Sequence, residues 1–320
     1  MRPRVLILSG VFDFSTDLVA LRLHEFGTPF VRLNREHLKE YELTLDPLGQ
    51  TLSVRGQGLN TEIGPELKSV WYRQPVFLRN TPAEPLSPAD QLERSQWAAF
   101  IRAMSIFDTA LWMNYPRATY LAECKPYQLL AARRCGLKVP KTLVGNDLNT
   151  VKSVFDREMV VKSLDTVLLR DKNDCLFTYT TVTDTDALDQ ESISSVPLLF
   201  QEYFADKIDV RLTIVGRKVF AVRILAQGKG IAGDWRTLAK DDLEYVDYQL
   251  DPGIDVPCQK LLASLGLSFG AIDLIESDQG TFFVEINPTG EWGWISNSNR
   301  QIDLEIASWL TDPYLLETQG

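Results

Sequence analysis

The apolar residues of the first third of the chain fall into short runs separated by helically spaced stretches. Val5-Leu6-Ile7-Leu8 is a continuous apolar run of strand length, the pattern of a strand covered on both faces. Val19, Leu23 and Phe26 then recur at helical spacing, and Gly27 follows as a stop signal. Phe30-Val31-Arg32-Leu33 resumes a strand, and this strand–helix–strand order predicts a parallel pairing. Val70-Trp71-Tyr72-Arg73 is a further strand closed by Pro75. The Pro-rich stretch TPAEPLSP predicts a loop. From Gln91 a helix is expected, with Trp97, Ile101, Met104 and Leu111 on one stripe. These elements define a first α/β unit, residues 1–113.

A second unit, 114–195, opens with a helix from Lys125 to Cys135 that Gly136 is placed to end. Extended segments follow at Val139-Pro140, Thr142-Leu143-Val144 and Met159-Val160-Val161-Lys162, and the polar stretch Asp171 to Ser195 predicts a hairpin or loop. A third unit, 196–320, holds expected strands at Leu198-Leu199-Phe200, Val210 to Val215, Val219 to Leu225, Ala271 to Ile275 and Thr281 to Ile286. Its last helix carries Ile302, Ile306 and Trp309. The class is α/β, with α+β character in the later units.

Composition narrows the functions. A chain of 320 residues suffices for two or three packed units. The net charge of −10 argues against a general nucleic-acid binder, which needs a basic surface to displace counterions. No apolar run approaches the ~20 residues of a membrane span, and the run in MRPRVLILSG is too short for a signal peptide. The four cysteines form no CxxC pair, which indicates no zinc or redox motif and fits a reducing cytoplasm. The two histidines, His24 and His37, lie far from the richest chemistry. The segment after the first strand, GVFDFSTD, lacks the glycine pattern of a dinucleotide site.

That chemistry lies in FGAIDLIESDQGTFFVEINPTGEWGW. AIDLI and TFFVEI read as two strands of a hairpin. A three-residue loop, Asp278-Gln279-Gly280, with Gly280 in the left-handed position, sets Asp273 opposite Glu285 on one face. Asn287, two residues on, points the same way. Two acids and an amide with convergent oxygens suit Mg²⁺, which binds through a few carboxylates plus substrate phosphates. The competing reading is a polar outer hairpin face, which a slip of one residue in the loop would favour.

The order of several segments resembles an ATP-grasp enzyme. A lysine in CKPYQLLAARRCGLKVP is followed by one in MVVKS, then QEYF, DVRLTIVGRKVFAVRI, GDWR, and finally Asp273 with VEINP. The resemblance spans roughly 114–310. It is strongest to the graspetide (microviridin-type) peptide ligases, related to ribosomal-protein glutamate ligases. INPTGEWGW and VWYRQP are also similar to theirs. The resemblance implies an ATP-grasp fold behind an N-terminal pre-ATP-grasp domain. It implies that Lys125 and Lys162 contact ATP phosphates, Glu202 and Tyr203 bind adenine at the hinge, and Asp209 and Arg236 approach the nucleotide. Asp273, Glu285 and Asn287 would hold magnesium. Arg211 and Arg223 would steady the transferring phosphoryl group and the substrate carboxylate. If Gly216-Arg217 is a two-residue turn, however, those two arginines face opposite sides of their hairpin.

The implied activity is ADP-forming ligation. An Asp or Glu side chain of a ribosomal precursor peptide, leader plus core, is activated as an acyl phosphate and captured by a hydroxyl or amine of the same peptide. A macrocyclic ester or amide results. A homodimer is compatible with the sequence. One departure stands out: SLDTVLLRDKND, after Lys162, has no glycine where many members have a flexible glycine loop, leaving Ser163, Thr166 or Arg170 to serve the phosphates. Two alternatives stay open here: a free-standing amino-acid ligase akin to the glutamate ligases, and a catalytically silent ATP-grasp peptide binder.

Overall fold

The computed structural model describes residues 2–73, 86–165, 168–171, 174–177 and 180–313, the last two short strands by backbone alone. Most of the loop expected at TPAEPLSP lies outside these residues.

The first unit is built on a parallel sheet with spatial order Phe30–Asn34, Val5–Ser9, Ser69–Tyr72, Leu111–Met113. The apolar run 5–8 has two covers, as its unbroken pattern requires. Val5 and Ile7 pack with Val19 and Leu23 of the helix Phe14–Glu25. Leu6 and Leu8 face the opposite core, with Ile101 and Met104. Phe26 is not part of the helical stripe: it caps the helix and stays exposed. Leu111 also departs from expectation. The helix Pro88–Ala103 and a short 3₁₀ turn end by Ile106, and Leu111 begins the strand beside Ser69–Trp71. A small antiparallel sheet, Glu42–Asp46, Thr51–Gly56 and Leu59–Ile63, closes the same core through Leu52, Val54 and Ile63.

The central sheet is antiparallel, ordered Thr181–Asp184, Glu158–Lys162, Leu198–Glu202, Thr142–Gly145. The strand Leu198–Glu202 therefore belongs with the second unit and not with the third, where a boundary at 196 had put it. Its apolar face needs the partners that Phe155, Met159 and Ile193 supply. The stretch 171–195 holds the strand Asp174–Phe177, which pairs back with Leu168–Asp171, then a further strand and a short helix.

The third sheet runs Glu244–Asp247, Lys218–Leu225, Ile208–Val215, Phe269–Ser277, Gly280–Asn287, all antiparallel. One face, with Val210, Leu212, Ile272, Leu274, Phe283 and Ile286, is covered by the helices Lys125–Arg134 and Pro252–Ser264. On the other face Val215, Val222 and Phe269 join the core of the first unit through Trp292, Ile306 and Trp309. The last helix, Ile302–Thr311, thus returns to the N-terminal unit, where Arg22 pairs with Asp303 at 2.7 Å. The remainder of that second face is left to polar residues.

Two side chains fix how these layers meet. Gln128, buried on the helix Lys125–Arg134, donates to the Ile286 carbonyl at 2.8 Å and accepts from the Ile286 N–H at 3.1 Å. Asn114 donates to the Phe269 and Pro288 carbonyls at 2.8 and 2.9 Å and accepts from the Ser268 and Phe269 N–H groups. Buried backbone groups need such partners. Gln128→Ala strands both groups of Ile286, and the expected cost is about 1–3 kcal/mol. Denaturant melts of the two proteins check it, and an unchanged midpoint would show that the clip is dispensable.

Candidate active site

The two later sheets enclose a cleft of about 860 Å³, open mouth included, with both apolar and charged lining residues. Asp273 and Glu285 sit directly opposite each other on its floor. The pairing is the expected one, but the route to it differs. Ser277 pairs with Gly280, leaving two residues at the hairpin tip, and Gly280 takes φ of +112°. That turn alone would bring Asp273 across from Val284. A β-bulge between Asp273 and Leu274 of the ladder absorbs Val284 and restores Glu285 to the position. The bulge also lets Phe283 and Ile286, three apart, both enter the core behind the sheet.

Each carboxylate meets its own cation. Lys125, at the first position of its helix, donates to Glu285 Oε2 at 3.0 Å. Arg211, paired across the ladder with Asp273, donates to Asp273 Oδ1 at 2.7 Å. Their electrostatics diverge. Burial would raise the Glu285 pKa, but Lys125, Lys162 and Arg236 overcome it and hold the carboxyl well down, at about 2. For Asp273 burial wins, helped by Glu285, and its pKa is raised despite Arg211. One ionised carboxylate thus faces one reluctant to ionise.

The other residues expected at the site divide. Lys162 donates to Gln201 Oε1 at 3.0 Å within the cleft. Burial lowers its pKa, with Lys125 and Arg236 adding to the effect and Glu285 opposing it. Glu202 and Tyr203 line the cleft where the two sheets join, and Glu202 Oε2 accepts the Lys141 N–H at 3.1 Å. Asp209 lines it too, paired with Lys207; burial raises its pKa, Lys207 opposes, and Asp273 and Asp234 reinforce the rise. Arg236 lies against Asp234 at 2.7 Å. Burial works against its charge, and Asp234, Glu285 and Asp273 outweigh that and raise its pKa.

Asn287 shares the face of Glu285 but borders an adjoining pocket with Lys125 and Pro288. Its Oδ1 accepts the Thr289 N–H at 3.0 Å. Arg223 does not join the site. Gly216-Arg217 is the two-residue turn, which sends Arg223 to the opposite face, against Glu276 at 2.8 Å and over the Tyr248 ring. Ser163 lines the cleft, while the side chains of Thr166 and Arg170 lie outside the described residues. Cleft residues that carried no individual role in the sequence reading include Gln201, Lys207, Asp234 and Trp235. Each lies within two residues of a motif residue, and that proximity was the available signal.

The donor set tests a metal and a phosphate together. Lys125, Lys162, Lys207 and Arg236 line the cleft, against Glu202, Asp209, Asp234, Asp273 and Glu285. Four cations facing five carboxylates do not by themselves attract a polyanion. A divalent cation at Asp273 and Glu285 reverses that balance, and the residues fit it. Two carboxylates with room for substrate oxygens are the donor set Mg²⁺ takes, since it binds through a few carboxylates plus phosphates; among the described residues there is no group of three or more His, Cys, Asp or Glu that could hold a metal.

No protein-family model matches the sequence, and no curated protein does. Solved structures do. The macrocyclase MdnC of Microcystis aeruginosa, bound to precursor peptide MdnA, matches at TM-score 0.82 and 26% identity, covering 97% of this chain and 99% of that one. A RiPP-associated ATP-grasp ligase of Chryseobacterium gregarium, with ADP and a leader and core peptide, matches at 0.84 and 23%, covering 98% and 97%. The macrocyclase MdnB of Microcystis aeruginosa matches at 0.75 and 24%, covering 96% and 99%. The protein has the ATP-grasp fold, and its structural likeness to peptide-modifying ligases of that fold extends through the N-terminal unit. Among the described residues, no helix is long and apolar enough to cross a membrane.

The lowered pKa of Lys162 generates a prediction. A triphosphate beside the amine favours its charged form and pulls the pKa back up. Below the depressed value the amine is already protonated, so nothing changes there. Between that value and the ordinary 10.5, binding takes up a proton, and affinity falls as pH rises through the window. Titration calorimetry of AMPPNP with Mg²⁺ in buffers of different ionisation enthalpy measures the uptake; Lys162→Met should abolish it.

Proposed function

We propose that this protein is an ATP- and Mg²⁺-dependent ligase that activates Asp or Glu side chains of a ribosomal precursor peptide and closes them into ester or amide macrocycles. The observation that carries the reading is the Asp273–Glu285 pair, set across a sheet from each other and flanked by Lys125, Lys162, Arg211 and Arg236. The structural neighbours supply the substrate class: MdnC is bound to a precursor peptide, and the ATP-grasp ligase PsnB has been solved with precursor, Mg and ADP.

The residues divide the work. Val160 and Ile275 give the cleft apolar walls, and Glu202 and Tyr203 stand where the sheets join; together they suit the adenine. Lys162, Lys125 and Arg236 neutralise phosphate oxygens. Magnesium, held by Asp273, Glu285 and Asn287, would supply charge neutralisation at the phosphates. A substrate carboxylate oxygen attacks the γ-phosphorus, the bond to the bridging oxygen breaks, and ADP leaves. A hydroxyl or amine of the peptide then attacks the acyl phosphate carbonyl, phosphate departs, and the nucleophile loses its proton. Arg211, held on Asp273, is the arginine assigned to the transferring phosphoryl group. Positioning and electrostatics carry most of the catalysis. The net charge of −10 and cysteines without a CxxC pattern support a reading in which such an enzyme works in a reducing cytoplasm without nucleic-acid partners.

Purified protein, given ATP, Mg²⁺ and an Asp/Glu-, Ser/Thr- or Lys-bearing peptide encoded beside it, should release ADP and a peptide lighter by one water per link. Mass spectrometry reads the product. Glu285→Gln keeps the shape and removes the charge, and its turnover should fall by about 100-fold or more; full activity in that variant would defeat the assignment.

A further inference from the structure

We propose that Arg73, on the N-terminal unit, is a positioning residue for the ligation, acting through the loop 288–291 on Arg211. The proposal rests on the functional reading above. The loop follows the strand that carries Glu285 and has no ladder partner of its own. Side chains from elsewhere take its four successive carbonyls. Asn114 binds the Pro288 oxygen at 2.9 Å. Arg73 Nη1 binds the oxygens of Thr289 and, at 3.0 Å, Gly290. Arg211 Nη2 binds the Glu291 oxygen at 3.1 Å. Arg73 is itself pinned: its Nε donates to buried Asp13 at 2.9 Å, and Nη2 reaches the Glu291 carboxylate at 2.7 Å.

The loop is therefore gripped between two arginines, one 1% and the other 7% exposed. There is no slack between them. A Cβ on Gly290 would stand 2.4 Å from Ala271 Cβ and 3.1 Å from Arg211 Nη2. Arg211 in turn holds Asp273 at 2.7 Å and keeps its Nε buried without a partner. The direction of the Arg211 guanidinium is thus set on one side by Asp273 and on the other by a carbonyl whose place Arg73 determines. Only a planar fork can serve Asp13, two carbonyls and a carboxylate together; a lysine offers a point charge and three donors. A simple tie between units would not need to converge on the peptide that touches Arg211.

The test compares Arg73→Lys with Ser69→Ala. Ser69 is on the same strand side of the first unit and ties it to the last helix, donating to the Leu310 carbonyl at 2.6 Å, with no contact to the loop. Both variants should lose stability. Only Arg73→Lys should lose kcat, by about 10- to 100-fold for a reacting group displaced by a fraction of an ångström to an ångström, with AMPPNP affinity within about twofold of wild type. Arg73→Gln keeps a planar amide and loses the fork, and should reproduce the kcat loss, which keeps the test open if Arg73→Lys does not fold. Wild-type kcat in folded Arg73→Lys, or an equal loss in Ser69→Ala, overturns the proposal. A wild type that releases no ADP refutes the ligase reading instead. Hydrogen exchange at residues 289–293 then decides: faster exchange in Arg73→Lys than in Ser69→Ala supports the grip, and equal rates overturn it.

Discussion

The structure depends on placing two carboxylates within reach of each other in a half-buried cleft. Asp273 and Glu285 are directly opposed on neighbouring strands, with side chains about one-fifth exposed. Like charges so placed repel, and burial strengthens the repulsion. The arrangement persists because each acid has a cation from a different element: Lys125 from a helix N-terminus and Arg211 from the neighbouring strand. The resulting asymmetry, one acid held ionised and one pushed toward its neutral form, is the state a divalent cation and phosphates would relieve.

Everything that carries those cations must be held to a fraction of an ångström. Gln128 clips the helix of Lys125 onto the strand of Glu285 through both backbone groups of Ile286. Asn114 ties the start of the Asp273 strand to the end of the Glu285 strand. Such buried amides satisfy backbone groups that no ladder reaches, and they transmit geometry because their bonds are directional. The N-terminal unit, which contributes no described residue to the lining of the cleft, participates in the same way through Arg73. Its own core continues into the last helix and Trp292, so the units share one packed layer.

Much of this was legible in the chain. The apolar run 5–8 announced a doubly covered strand, and the opposition of Asp273 and Glu285 followed from hairpin logic. The resemblance in motif order named Lys125, Lys162, Glu202, Tyr203, Asp209 and Arg236, all of which line the cleft. Other features were illegible for physical reasons. Leu111 continues a helical stripe numerically, yet the chain has already turned by Phe107. Leu198–Glu202 looks the same whichever sheet it joins, because a strand's pattern does not name its partner. The two-residue tip and the bulge at Val284 offset each other, so a loop misjudged by one residue still gave the right pairing.

The sequence by itself determined the local periods, the turn glycines and the chemical identities of the acids and bases, because these depend on near neighbours along the chain. It also sufficed to send Arg211 and Arg223 to opposite faces, since a two-residue turn fixes side-chain parity. Tertiary structure alone decided which cation meets which acid, and that Arg73 reaches across to Thr289 and Gly290. Those are contacts between residues more than a hundred positions apart or between separately oriented elements. Their energies arise from burial and directional hydrogen bonds that exist only once the sheets have come together.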